Sequence, residues 1–394
     1  MNNVKKLVSY ILVAVLASAA TFFMMPRQEP AAQEPAPQIQ EEYSKLDELR
    51  ELVDEKFIGE IDWKLVEDNA AAGMIAGLGA RWRYYMSAEG YASYLEQMNN
   101  TYVGVGITVT QREDGYLDIL EVVENGPAGN AGVEPGGIIV RVGELDIAGL
   151  GIDGATPLIK GEEGTDVTLT IRYGEEEREY TMTRAYFEMT VASGQMLDDG
   201  IGLVTIENFD GRCADETLAA IEELLDQGAT GLIFDVRNNP GGYKSELCRI
   251  LDYLLPEGPL FRSEYYDGTT QVDESDKNFL DIPMVVLINS ESISAAEFFA
   301  AALWEYEAAV LVGEQTIGKG YFQEAHEVSD GSAVGLSVGK YTTPNGVSLA
   351  NVGLTPDVEV AVDDELFWLI YYNRVQWQED PQIQAARDVL KNAE

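Results

Sequence analysis

Two residue types in this chain could make a nucleophile and its base. The stretch GEQTIGKGYF, Gly313–Phe322, places Lys319 behind a glycine spacing that approaches a phosphate-binding loop. That motif needs a hydroxyl residue after the lysine and then a helix whose N-terminus receives phosphate. Gly320 stands in the hydroxyl position, and the following YFQEAHEV alternates like a strand. Nucleotide binding is therefore disfavoured. A lysine amine buried beside few charges releases its proton more readily and can act as a general base near neutral pH. No other base competes, because the single histidine, His326, has neither a GxSxG nor an HExxH context and reads as a structural or surface residue.

The candidate nucleophile lies upstream in VVLINSESISAAEFFAAAL. An apolar strand feeds a serine-rich turn, and a helix is predicted from about Ala295. Ser294 would then sit at the helix N-cap, and with Glu297 it forms the sequence pattern of a capping box. The same position offers first-turn backbone N–H groups to an oxyanion. Capping and nucleophilic readings both stand on the local sequence. A third stretch, DVRNNPGG, ends an apolar strand at Gly241 and Gly242, where the backbone can approach a ligand closely.

The chain has 394 residues, enough for two or three domains, and a formal net charge of −42 that disfavours nucleic-acid partners. Lys5 and Lys6 precede an uncharged run, Leu7–Met25, long enough to span about 28 Å as a helix. This predicts a transmembrane signal anchor over residues 1–25 with the remainder outside the cell membrane, or a secreted protein if the segment is cleaved. Residues 26–40, rich in Pro, Gln and Ala, read as a disordered linker. Helical spacing over residues 41–100 predicts a small helical region, and short strands with glycine turns fill 101–185. Strands and helices alternate over 186–362 as in an α/β layer architecture, and 363–394 reads as a helical tail. Cys213 and Cys248 match no metal spacing; pairing and two separate thiols both remain open.

DVRNNPGG, SISAAE, VGEQTIGKGYFQ, YTTPNG and GLTPDVEV, in this order, resemble the carboxyl-terminal processing peptidases over roughly residues 41–390. The resemblance implies a crotonase/ClpP-like α/β core with an inserted PDZ domain at 101–185, between small helical N- and C-terminal regions. It implies a Ser–Lys pair, and Lys319 follows Ser294 by the family's 25 positions. Ser294 would be the nucleophile, Lys319 the base and Gln323 the residue that orients the lysine. Ser292, the alternative nucleophile, does not fit that spacing. Ala295 and Gly241 or Gly242 would supply the oxyanion hole, while Glu297 is expected to be structural. If 319–323 is a strand, Lys319, Tyr321 and Gln323 share one face.

YVGVGITV resembles a PDZ carboxylate-binding loop and first strand, with Val103, Gly104 and Val105 cradling a peptide C-terminus. Gly137 stands where the family pattern carries Asp, so a different local turn is expected. The implied activity is that of an exported serine endopeptidase acting on polypeptides with accessible C-termini, without metal or cofactor. A homodimer through the terminal helical segments is compatible with the resemblance. The rivals are a catalytically silent PDZ scaffold and a ligand-binding protein on the same core.

Overall fold

Three runs of aliphatic residues, Gly231–Asp235, Met284–Ile288 and Ala309–Gly313, are buried along almost their whole length. Such continuity is what a parallel strand covered on both faces requires. In a computed structural model that describes residues 44–123, 125–372 and 374–392, they form the middle of a six-stranded sheet. Its order is 192–196, 201–206, 231–235, 284–288, 309–313 and 358–359, parallel except for the first strand. The proposed anchor, linker and first residues of the helical region lie outside the described residues. Among those described, no helix is long and apolar enough to cross a membrane.

Alternation along these strands divides the core in two. Phe234, Val286 and Ile288 face the helices Cys213–Asp226, Lys244–Leu254 and Ala295–Glu305, with Phe209, Phe298 and Phe299 between. Ile233, Val285, Leu287 and Val312 face the opposite way, onto Ile383, Ala386 and Leu390 of the last helix, Pro381–Asn392. The helix read from sequence as a tail is thus the second covering layer of the sheet. Buried ion pairs from Arg237 to Asp235 (2.5 Å) and Asp380 (2.9 Å) fasten its start to the strand end that leads into Gly241 and Gly242.

A second sheet runs 84–86, 333–342, 258–265, 270–275, with strand 321–327 also paired to 333–342. The region read from sequence as helical, 41–100, contains the described helices Ser44–Lys56, Trp63–Ala76 and Ala88–Met98. It departs from that reading at Tyr84–Met86, which pairs with Ala333–Gly335 and so ties the N-terminal region to the second sheet.

Residues 107–183 form a separate antiparallel unit in the order 107–111, 117–122, 138–142, 166–173, 176–183, with its own core of Leu117, Ile119, Ile139, Leu169 and Ile171. The chain enters and leaves it through paired strands, Thr101–Gly104 against Ala185–Glu188. Gly137 has a packing reason here. A Cβ at this position would lie 2.6–2.8 Å from Ile171 and the Tyr173 ring, whose hydroxyl instead bonds the backbone of Glu134. Both cysteines are free, and burial pushes their thiols up to about 12.

If the last helix is core rather than tail, Leu390→Ala should cost about 2–4 kcal/mol in urea unfolding. A change under about 0.5 kcal/mol, as at a surface site, would show that this helix does not cover the sheet.

Candidate active site

Strand Met284–Ile288 delivers the chain into a turn that is bonded at almost every residue. The side chains of Asn289 and Asn238 join the two loops: Asn238 N–H donates to Asn289 Oδ1 (3.0 Å) and Asn289 Nδ2 donates to Asn238 Oδ1 (2.8 Å). Ser292, fully buried, donates its hydroxyl to the Val236 carbonyl (2.8 Å) and accepts from Asn289 N–H (3.0 Å), so it is a structural residue. Ile293 N–H donates to the Asn239 carbonyl at 2.9 Å. Ser294 then adopts φ +60°, ψ −116°, a region L-residues rarely occupy. Strain of this kind persists only where surrounding bonds over-determine it.

The capping reading of Ser294 has a structural counterpart. Glu297 accepts from the Ser294 N–H (3.0 Å), as in a capping box, while the Ser294 hydroxyl shares a 3.1 Å hydrogen bond with Tyr341. Tyr341 is buried among Phe261, Phe298 and Phe322, and burial holds its phenol well above the usual range. It therefore meets Ser294 as a neutral hydroxyl. Sequence reasoning missed Tyr341, although it opens the YTTPNG stretch and falls on the buried face of its strand.

Gly241 and Gly242 have positive φ, and a Cβ at Gly241 would lie 2.8 Å from both the Ile293 carbonyl and Ser294 Cβ. The glycine turn is pressed against the serine. Its two N–H groups differ: that of Gly241 donates to Asn239 Oδ1 (2.9 Å), whereas Gly242 N–H has no protein acceptor among the described residues. Ala295 N–H is free in the same sense. Gly242 and Ala295 are the pair open to an oxyanion.

Lys319 lies in the extended loop before strand Tyr321–Glu327, not in the strand. Burial pushes its amine down to about 8, opposed by the charge of Glu297. Its Nζ rests 5.1 Å from the ring centroid of Trp82, a residue that nothing in the sequence marks. Gln323 donates to the Tyr321 carbonyl (3.0 Å) and the Ser337 hydroxyl (3.3 Å). The expected shared face of Lys319, Tyr321 and Gln323 is absent for two reasons: the lysine precedes the strand, and a register irregularity between Phe322 and Gln323 breaks the alternation.

Ser294, Lys319, Gln323 and Gly242 nevertheless line one cavity of about 730 Å³. Ser294 and Ala295 also border a smaller one of about 240 Å³ floored by Leu247, Phe261, Phe322 and Tyr341. His326, exposed beside Glu324 at 3.8 Å, lies at the cavity's edge. Val103, Gly104 and Val105 belong to a third cavity of about 320 Å³, along the free edge of strand 107–111 and beside Ile159 of helix Gly151–Ile159.

The serine turn and the lysine loop meet at Glu297. Its fully buried carboxylate accepts from Ser294 N–H (3.0 Å), Lys319 N–H (2.9 Å), Gly318 N–H (2.8 Å) and Thr316 Oγ1 (2.5 Å). Glu297→Gln retains the shape but turns an NH₂ toward N–H donors. It is expected to lower the unfolding free energy by about 2–4 kcal/mol, read by denaturant titration; an unchanged midpoint would show that the two loops hold without it.

Comparison with known proteins identifies the family. The model of peptidase family S41 matches residues 200–360. The chain is 32% identical over 357 residues to the carboxy-terminal processing protease CtpA of Bacillus subtilis, covering 90% of this chain and 76% of that protein. It is 31% identical over 325 residues to a carboxyl-terminal-processing protease of Synechocystis sp., covering 80% and 75%. A crystal structure of an S41 protease from Bacteroides fragilis superimposes with a TM-score of 0.53 at 19% identity, over 74% of this chain and 84% of that one, which bears on the fold. By sequence and fold, the chain belongs to peptidase family S41, among the carboxy-terminal processing proteases, and is a serine-type hydrolase.

Proposed function

We propose that this enzyme cleaves polypeptides by a Ser294–Lys319 acyl-enzyme mechanism after capturing their C-termini in the antiparallel unit. The observation that carries the reading is a half-buried lysine with its amine pushed down to about 8, lining the same cavity as a strained serine at a helix N-terminus. Lys319 rotates from Trp82 toward Ser294, and its neutral amine takes the hydroxyl proton as Oγ attacks the peptide carbonyl. Tyr341 holds the hydroxyl until then. Ala295 and Gly242 N–H groups receive the oxyanion, a role worth roughly 3 kcal/mol per donor in comparable enzymes. The lysine, now charged, protonates the leaving amine, and water then releases the acyl group. Gln323 shares the cavity wall and is the residue able to receive the lysine once it leaves Trp82.

The antiparallel unit is read as a PDZ domain. Strand 107–111 ends its sheet, so an extended peptide can add there, its side chains entering the apolar cavity and its carboxylate meeting the backbone from Val103 to Val105. The lysines and apolar run at the N-terminus support a single-pass anchor with the enzyme outside the cell membrane.

The test follows cleavage of an unstructured protein with an apolar C-terminus by residues 41–394, as wild type, Ser294→Ala and Lys319→Ala. Loss of cleavage in both variants with folding intact is expected; cleavage persisting in both would overturn the assignment. Binding without cleavage by the wild type would favour the silent scaffold. Amidating the substrate's C-terminus should weaken capture, and unchanged binding would remove the PDZ role.

The neutral amine is the active form, so kcat/KM should rise about tenfold per pH unit below the Lys319 value of about 8 and level off above it. A flat profile from pH 6 to 9, with chemistry rate-limiting, would exclude Lys319 as the base.

A further inference from the structure

The mechanism leaves one buried acid in the main cavity unused. Asp210 is 6% exposed, and its Oδ1 is fully enclosed with no hydrogen-bond partner. Among the described residues its carboxyl group takes part in no hydrogen bond or ion pair. Its backbone is well tied, with N–H donating to Asn208 Oδ1 (2.9 Å) and the carbonyl accepting from Cys213 N–H (3.1 Å). The side chain is therefore placed by its backbone and not by any partner of its own. A buried carboxyl group without a partner is costly, and native proteins rarely keep one that nothing ever meets.

Nearby cations are engaged elsewhere through their terminal nitrogens, although the buried Nε of Arg212 has no protein partner. Arg212 pairs with Glu188 (3.0 Å) and Glu216 (3.1 Å), Lys244 with Asp273 (2.7 Å), and Lys319 lies on Trp82. Burial with no compensating charge pushes the Asp210 carboxyl up to about 7. The cavity around it is walled by Tyr84, Tyr91, Tyr94 and Tyr243. Aromatic faces attract cations, and their apolar bodies accommodate a methylene stem. Asp210 is also next to the proposed chemistry, since a Cβ on Gly242 would lie 2.7 Å from its backbone nitrogen.

We infer that Asp210 and the tyrosine walls form a substrate subsite for a cationic side chain, lysine or arginine, close to the scissile bond. The inference rests on the peptidase reading above and adds a specificity to it. A cation in the cavity supplies the compensating charge, whereas an apolar side chain leaves the carboxyl buried and uncompensated, which is how a polar site rejects a substrate. The enzyme's charge of −42 draws basic segments toward the cavity in the first place.

The experiment scans a single lysine through N-acetylated peptides that carry an apolar C-terminus, each matched to a norleucine peptide. The full-length enzyme is used, with kcat/KM as the first readout. The second readout is binding to the Ser294→Ala protein by fluorescence anisotropy. At one position the lysine peptide should be preferred at least tenfold, and in Asp210→Asn and Asp210→Ser that ratio should fall to near one. A ratio near one at every position in the wild type, or a preference that survives both substitutions, would overturn the subsite. In a parallel set left unacetylated, a preference that follows the free amino terminus instead of the lysine side chain would also overturn it. If the peptides bind with the lysine preference but the wild type does not cleave them, the Ser–Lys reading fails and the subsite stands.

Discussion

The candidate site depends on one buried carboxylate. Glu297 belongs to the first turn of the helix behind Ser294, yet two of its four donors are backbone groups of the lysine loop, and a third is the hydroxyl of Thr316. A fully buried charge must be met by donors or it will not stay. The strands that lead into the two segments are paired, with Glu314 N–H donating to the Ile288 carbonyl (2.9 Å), and the shared carboxylate joins the segments again beyond that pairing. Thr316 extends the link, because its hydroxyl accepts from Leu354 N–H (2.8 Å), beyond the second sheet in sequence. The sequence signature of a helix cap is thus also the joint between the serine and lysine segments.

Around that joint the site is built from opposing demands on two side chains. Ser294 is held in a strained backbone conformation by the turn bonded through Asn239, Asn289 and Ser292. Lys319 is buried far enough to weaken its hold on a proton. In this structure neither touches the other: Tyr341 bonds the serine and Trp82 receives the ammonium. A ring face favours the charged amine, so the contact with Trp82 opposes the loss of a proton that burial of Lys319 favours. The two side chains line one cavity without meeting in it.

The positions of Trp82 and Tyr341 come from the second sheet. Strand 333–342 carries Tyr341 and pairs with Tyr84–Met86, immediately after Trp82. Arg83 in turn donates to carbonyls at the end of helix Trp63–Ala76, including Ile75 at 2.6 Å. The N-terminal helices, whose apolar residues Leu65, Val66 and Met74 are exposed, are therefore mechanically connected to the residue that holds the lysine.

The sequence by itself determined the main elements and the family, and it marked the candidate groups. Aliphatic runs such as Met284–Ile288 and the helix Ala295–Glu305 follow from local periodicity, and the spacing of Ser294 and Lys319 is written in the motifs. Local pattern also marked the glycine turn. It did not distinguish Gly241 from Gly242, because that depends on where Asn239 directs its side chain. The strand face assigned to Lys319 and Gln323 failed at a register irregularity that is set by the partner strand, which periodicity cannot see. Tyr341, Trp82 and Asp210 acquire their roles from neighbours far away in the chain. The same holds for the last helix, whose apolar stripe shows that it must be covered but not by what. Local sequence encodes backbone preference and which face is apolar. Which groups meet across that face, and which buried charge is left without a partner, is decided only when distant segments pack.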